Sequence, residues 1–524
     1  MATSYLTPGV YVEEVPAQSK PIEGVSTSVA AFVGLAPGGP TNTPMRISNF
    51  TQFSRIFGDP SAPERGAFMD GAYLAHAVYG FFQNGGSLCW VVRVGAGDGE
   101  APAPVAALPA AADLSVESYR AVARPEITAP VTVEIDEEPA AKGDDDKPAE
   151  TTYRIVVTAG DDREEHTGLS LKKGRTNLAT KVNASSKIII VEDTGASLPE
   201  TQRVPALGTY QLAAPAPTSS DLDASEFEGD VARRQGIGGL VAIDEISIVC
   251  VPDAVNLIGE NGDDTLLRDV QGKIIAHCES TGDRMVILDT PDGLLPQEVL
   301  EWRQDTAGYD SKFAALYWPW IEVIDPLTKR PLAVPPSGHV AGAWARTDAQ
   351  RGVHKAPANE VVMGANSLAF QITSAEQGAL NKAGINCIRS FTGRGIRIWG
   401  ARTLSSDPEW RYINVRRLFN YVSQSVMEGT QWSVFEPNDE RLWMKLQVSV
   451  SNFLNRTWRS GALFGTSESQ AFFVKCDAET NPPDSIEAGQ VVCEIGISPV
   501  KPAEFVIFRL SQFADGGGDD GGDE

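Results

Sequence analysis

Positive charge is scarce in this chain: 44 lysines and arginines stand against 69 aspartates and glutamates, a net charge of −25 over 524 residues. That deficit argues against nucleic acid as a partner, because binding to a phosphate backbone depends on lysine and arginine. Long apolar runs are missing as well. None approaches the ~18 residues of a membrane span, so direct membrane insertion is not expected. Met1-Ala2-Thr3-Ser4-Tyr5 lacks the basic segment and apolar core of a signal peptide. The six cysteines (Cys89, Cys250, Cys278, Cys387, Cys476, Cys493) contain no C-x-x-C pair. Most lie in apolar or strand-like runs and read as small core residues of a reducing compartment, which places the protein in the cytoplasm. Neither G-x-x-x-x-G-K-[ST] nor H-E-x-x-H occurs. The five histidines (His76, His166, His277, His339, His354) are dispersed, so neither a zinc site nor a cofactor is expected. Asp144-Asp145-Asp146 lacks the alternating oxygen ligands and turn glycine of a calcium loop and reads as solvated.

What the chain does have is an isolated strand pattern at each end. Val10 and Val12 alternate with Tyr11 and Glu13 between Pro8 and Pro16, and no hairpin partner follows. Glu504-Phe505-Val506-Ile507-Phe508-Arg509-Leu510 forms a second strand-like run beyond Pro499 and Pro502. A lone strand leaves backbone donors and acceptors unpaired, which invites pairing with another chain.

A chain of this length exceeds one hydrophobic core and predicts about three or four domains. Buried-strand runs at Ser28–Gly34 and Ser87–Val94 flank a helical spacing from Phe68 to Phe82. From 236 to 400 apolar strands (Ile246–Val251, Met285–Leu288, Phe313–Trp318) alternate with helices at 266–278 and 297–304, the mark of a buried parallel sheet. Residues 98–235 differ. They carry short strands (131–135, 153–158, 187–191), proline-bearing hinges and a balance of −11, from 14 basic and 25 acidic residues. The last third, 401–513, is near neutral at −2 and predicts two long amphipathic helices. The first places Val415, Leu418, Phe419, Val422 and Val426 inward and leaves Arg416, Arg417 and Asn420 outside that face, the two arginines either pairing with an acidic partner or lying on an ordinary solvated face. The second follows the capping signal Pro437-Asn438-Asp439. The fold class expected is α/β multidomain. It comprises an arm strand over 1–20, a discontinuous central α/β domain with a largely parallel sheet (21–97 and 236–400) and an inserted acidic β-rich outer domain (98–235). An α+β C-terminal domain (401–499), a C-terminal arm strand (500–513) and a disordered Gly/Asp tail (514–524) complete it.

One constellation invites an enzymatic interpretation. Asp289 ends a strand, His339 lies in Ser337-Gly338-His339-Val340-Ala341-Gly342, and Ser467 comes later, the chain order of subtilisin-like proteases. Asp289 and His339 belong to one α/β unit. Ser467, however, precedes Glu468-Ser469-Gln470 and a strand rather than a small-residue helix, and it lies beyond the two long helices. The expectation is therefore no catalysis, with Gly338 and Ala341 serving helix packing and His339 a satisfied interior group.

Pro8-Gly9-Val10-Tyr11-Val12-Glu13-Glu14, Ser26–Gly34, Pro335–Gly342, Gly352–Asn359, Asn386–Trp399, Phe435-Glu436-Pro437-Asn438-Asp439 and Pro502–Val506 together resemble contractile tail sheath proteins, over nearly the whole chain except 98–235. The resemblance implies a non-enzymatic structural subunit without cofactor or metal, whose central domain has a subtilisin-like flavour but no protease activity. It implies stacked hexameric rings around an inner tube, contraction triggered by a baseplate, and further contacts to tail-terminator or cap proteins, all within a phage tail or tail-like injection particle. On that basis Val10, Tyr11, Val12, Val15, Phe505, Val506, Ile507 and Phe508 are the candidate strands donated to neighbouring subunits. Arg416, Arg417, Lys445, Arg456 and Arg459 are the candidate tube-facing cations. The rival classes are a subtilisin-fold hydrolase using Asp289, His339 and Ser467, and a static shell protein.

Overall fold

The computed structural model describes residues 21–59, 65–95, 105–111, 113–124, 131–138, 151–160, 162–172, 174–194, 203–212, 224–259 and 261–508. The expected arm strand at Val10–Val15, the Asp144–Asp146 run and the 514–524 tail lie outside the described residues. A nine-stranded sheet organises the molecule. Six of its strands run parallel, in the spatial order Cys89–Arg93, Ala30–Gly34, Ile248–Cys250, Met285–Asp289, Ala314–Trp318, Ile385–Phe391. Met45–Ile47 joins one edge antiparallel, and Gly395–Ile398 followed by Glu360–Val361 closes the other.

The apolar runs are continuous because both faces are covered. Ala30, Phe32, Ile248, Cys250, Met285, Ile287, Ala315 and Tyr317 point to one side, where helices Leu74–Gln83 and Ser337–Arg351 pack. Ala31, Val33, Val249, Val286, Leu288, Leu316 and Trp318 point to the other, beneath helix Thr265–Thr281. Each fully buried aliphatic or Phe side chain contributes about 1.5–3 kcal/mol, so this two-faced core dominates the stability. Helices Leu74–Gln83 and Ser337–Arg351 touch backbone to backbone. A Cβ on Gly338 would lie 2.3 Å from the Ala77 Cα, and one on Gly342 would lie 2.4 Å from the Phe81 carbonyl oxygen.

The helical spacing from Phe68 begins to form helix only at Leu74, because the helix start is set from elsewhere in the chain. The Asp253 carboxylate, 0% exposed, accepts from the backbone N–H groups of Leu35 (2.7 Å), Tyr73 (2.5 Å) and Leu74 (3.1 Å). It caps a helix whose own N-cap, Tyr73, makes no side-chain cap. Burial outweighs those three bonds and lifts its pKa to about 6. Asp253 follows strand Ile248–Cys250 and reaches the residue just after Ala30–Gly34. This is where strand order reverses, the crevice in which doubly wound sheets commonly take ligands. Here the chain's own carboxylate fills it.

The described residues between 105 and 212 include two antiparallel sheets. One has strands Gly208–Gln211, Val131–Glu138, Thr152–Ala159 and Asp162–Leu169; the other has Val105–Ala110, Asp113–Ala123 and Ile189–Glu192. They enclose a separate core that includes Leu108, Tyr119, Ile135, Ile155, Val182 and Ile189. The C-terminal part is α+β: helices Ile413–Gly429 and Glu440–Arg459 with the hairpin Phe472–Lys475 and Glu494–Ile497. Asp439 caps the second helix by accepting from Arg441 N (3.0 Å) and Leu442 N (2.9 Å), as the Pro-Asn-Asp signal predicts.

Candidate functional site at the junction and chain ends

The three residues of the protease-like constellation have separate structural occupations. Asp289, 3% exposed, accepts the Ser337 N–H at 2.9 Å and so caps helix Ser337–Arg351. Burial raises its pKa to about 7. His339 is 2% exposed, with its ring against Gly80 and its Nδ1 without a hydrogen-bond partner. The expectation of a satisfied interior histidine is thus corrected: burial holds His339 neutral, its pKa near 3, and packing alone accommodates the ring. Ser467 is an exposed N-cap of the short helix Glu468–Ala471, and its Oγ lies 3.2 Å from Ser469 Oγ. None of the three is hydrogen-bonded to another, so no base is presented to a nucleophile. Among the described residues no cluster of three or more His, Cys, Asp or Glu is placed to hold a metal.

This occupation predicts a pH signature. Because the folded pKa of Asp289 exceeds its unfolded value, its contribution is fully present below about pH 4 and is lost as pH rises through about 7. Asp289→Asn, whose amide oxygen can still accept from Ser337, is expected to gain on the order of 4 kcal/mol at pH 8 and little at pH 4. Thermal midpoints at the two pH values test it, and a loss at pH 8 would contradict the assignment.

The polar chemistry concentrates instead where the C-terminal helices meet the central sheet. Arg417, 3% exposed at its side chain, forks onto Asp348, 5% exposed, with Nη1–Oδ1 at 2.9 Å and Nη2–Oδ2 at 2.6 Å. Its guanidinium also lies 4.8 Å from the Trp344 ring centroid and donates to the Thr27 carbonyl at 2.7 Å. Thr27 Oγ1 returns a bond to Asp348 at 2.7 Å, and Ser247 Oγ donates to the Thr27 carbonyl at 2.6 Å. Residues 22–27 are thereby stitched between the two parts. Ile22 is 1% exposed among Leu418, Val422 and Phe453, and Val25 N donates to Ser425 Oγ at 3.1 Å.

Arg416 lies over Trp410 (4.4 Å) and Phe313 (4.8 Å) while its Nε donates to Asn420 at 2.7 Å. Burial lowers its pKa to about 10. Of the two readings, the solvated face is corrected for Arg416, Arg417 and Asn420, while Arg417 does pair with an acidic group, Asp348. All three are less than 10% exposed, because aromatic rings and an aspartate far away in sequence cover that side of the helix. Lys445, Arg456 and Arg459 are exposed on helix Glu440–Arg459, Arg456 also donating to the Ile22 carbonyl.

At the C-terminal end, Glu504 is pinned. Arg402 Nε and Nη2 donate to its two carboxylate oxygens at 2.9 and 2.7 Å, Asn381 Nδ2 donates at 2.6 Å, and the Tyr412 hydroxyl lies at 3.2 Å. Immediately beyond it Phe505, Val506, Ile507 and Phe508 are 69–84% exposed and belong to no strand of this chain. Four consecutive large apolar residues are thereby left open to water.

The body is a doubly wound α/β sheet with a filled switch point, in which Asp289 serves capping and His339 packing. Two protein-family models match it: the phage tail sheath protein central domain over residues 239–404 and the phage tail sheath C-terminal domain over 405–513. The tail sheath protein of Burkholderia phage BcepMu is 24% identical over 97% of both chains. That of Vibrio phage KVP40 is 29% identical over 34% of this chain, and a putative prophage major tail sheath protein of Pseudomonas aeruginosa is 26% identical over 38%. The chain spans only 26% and 52% of the length of those last two relatives. Among solved structures, the helical sheath of the anti-feeding prophage in its contracted state aligns with a TM-score of 0.57 and 24% identity, covering 97% of this chain and all of that one. The contracted sheath complex of the extracellular injection system PVC aligns with the same TM-score at 22% identity, covering 98% and 99% of the two chains. The chain belongs to the phage tail sheath protein family.

Proposed function

We propose that this protein is the repeating subunit of a contractile sheath. It polymerises as stacked hexameric rings around an inner tube and contracts to drive that tube through a target cell envelope. The observation that carries this is the end-to-end relationship to a tail sheath protein, 97% of both chains, joined to a fold shared with contracted helical sheaths. Rigid bodies linked through extensible ends let packing change while backbone pairing persists. The free energy then comes from contacts formed in the shortened lattice. Assembly in the cytoplasm precedes incorporation into a phage tail or tail-like particle, with a baseplate and a terminator or cap at the two ends.

The surface toward the tube is the near-neutral C-terminal unit. With Arg416 and Arg417 committed inside the chain, Lys445, Arg456 and Arg459 remain the exposed members of that candidate set, suited to an acidic tube wall. Negative-stain electron microscopy of the full chain, alone and co-expressed with its tube protein, tests the function. Tubes that contract on perturbation are expected; isolated monomers with peptidase activity, or closed shells, would overturn it.

The acidic 98–235 segment is assigned to the outside of the cylinder. Support comes from its own core and its balance of −11, which keeps a surface self-repelling. Joining residue 97 to residue 236 through a short linker is expected to preserve tube formation. Folded but non-assembling subunits would place this unit in the lattice contacts instead.

A further inference from the structure

Two cysteines with sixteen residues between them in the chain face each other across a hairpin. In the ladder of Phe472–Lys475 with Glu494–Ile497, Phe472 opposes Ile497 and Lys475 opposes Glu494, so the next opposed positions are Cys476 and Cys493. Directly opposed antiparallel residues hold their Cα atoms ~4.5–5.5 Å apart, inside the ~4.4–6.8 Å span of a disulfide. The side chains agree, since Cys493 packs against the apolar cluster that holds Cys476 with Leu442, Trp443 and Leu446. Asn481 extends the register past the last ladder pair. Its Nδ2 donates to the carbonyls of Asp477 (3.0 Å) and Val492 (3.0 Å), and its Oδ1 accepts from Val492 N (2.6 Å). These are the neighbours of the two cysteines. Cys476 is 3% exposed beside Trp443 and Leu446, Cys493 is partly open to solvent, and Cys89, Cys250, Cys278 and Cys387 are buried.

We propose that Cys476 and Cys493 are a redox-closable pair, converted by exchange with a low-molecular-weight disulfide into a cross-strand disulfide that locks the 477–492 loop onto the hairpin. The Cys493 thiolate attacks one sulfur of the reagent, forming a mixed disulfide and expelling the first thiolate. The Cys476 thiolate then attacks the Cys493 sulfur, forms the intramolecular bond and expels the second. Two electrons pass from the pair to the reagent, and the two protons lost by the cysteines end on the departing thiols. A glutathione-reduced compartment keeps the pair open, and an oxidising medium closes it. Burial raises both thiols, Cys493 to about 12, so closure is slow at neutral pH and accelerates with the thiolate fraction.

The full chain, purified reduced, is incubated with oxidised glutathione at pH 7 and pH 9, quenched with iodoacetamide and digested without reduction for mass spectrometry. The expected product is a peptide linking Cys476 to Cys493, formed about 100-fold faster at pH 9, as thiolate fractions well below saturation dictate. Cys476→Ser is expected to retain one glutathione on Cys493, because the resolving thiol is gone. Cys493→Ser is expected to take up none while folded. A stable glutathione adduct on wild-type Cys493 without the cross-link would overturn the proposal. So would a folded chain that does not react under conditions where the denatured chain does.

Discussion

Arg417→Met is expected to destabilise the folded chain by ~3–5 kcal/mol, a large share of the ~5–15 kcal/mol available to a typical domain. The substitution keeps an apolar stem over Trp344 but leaves Asp348 as a buried carboxylate that has lost both guanidinium bonds. It also frees the Thr27 carbonyl, which then keeps only Ser247 as donor. Removing one partner of such a pair costs far more than the pair itself is worth, because the remaining charge stays desolvated. The double substitution Arg417→Met with Asp348→Leu should therefore recover most of the loss. Denaturant unfolding of wild type, both single variants and the double variant gives the coupling directly. If the double variant is as unstable as Arg417→Met, the fork is not what joins helix Ser337–Arg351 to helix Ile413–Gly429. Arg417→Lys should fall between, since a point ammonium cannot reproduce two parallel bonds.

The central sheet was legible because strands buried on both faces appear as unbroken apolar runs. Ala30–Gly34, Met285–Asp289 and Ala314–Trp318 each match such a run to within a residue or two. The inserted unit was legible as β-rich, but its longest strand, Asp113–Ala123, was not foreseen. Its polar alternation in Asp113-Leu114-Ser115-Val116-Glu117 is weak beside the alanine-rich flanks. Helix faces were misread where long-range partners decide burial. A helical wheel puts Arg416 and Arg417 outside because it counts charge as solvated. It has no knowledge of Trp410, Phe313 or Asp348, which supply rings and a carboxylate from elsewhere in the chain. Asp253 was missed for the same reason: a loop aspartate looks ordinary until Leu35, Tyr73 and Leu74 bring three N–H groups to it. The Cys476–Cys493 pairing carried one faint signal, the equal offset of the two cysteines from the runs that became Phe472–Lys475 and Glu494–Ile497. Registering it required knowing that those runs pair.

Deleting residues 505–524 is expected to abolish sheath polymerisation while leaving the subunit folded, with a thermal midpoint within about 2 °C of wild type. The segment Phe505–Phe508 buries almost nothing in its own chain, and its backbone makes no hydrogen bond among the described residues. Its removal therefore costs the monomer neither core nor ladder. Glu504 stays, so the clasp with Arg402, Asn381 and Tyr412 still fixes where the segment leaves the body. On the proposed strand donation, what is lost is the apolar run that would complete the sheet edge of a neighbouring subunit. A substitution pair separates backbone from side chain. Val506→Pro removes an N–H donor and should block polymerisation, whereas Val506→Thr keeps the donor and the β-branched shape and should be tolerated. Deleting only 515–524, a Gly/Asp stretch with five acidic residues, should change nothing in assembly. The readout is tube length by electron microscopy and sedimentation, alongside thermal denaturation of the soluble subunit. Normal tubes from the 505–524 deletion, or a folded-state loss matching the assembly loss, would remove strand donation from this end of the chain as the force that holds the lattice.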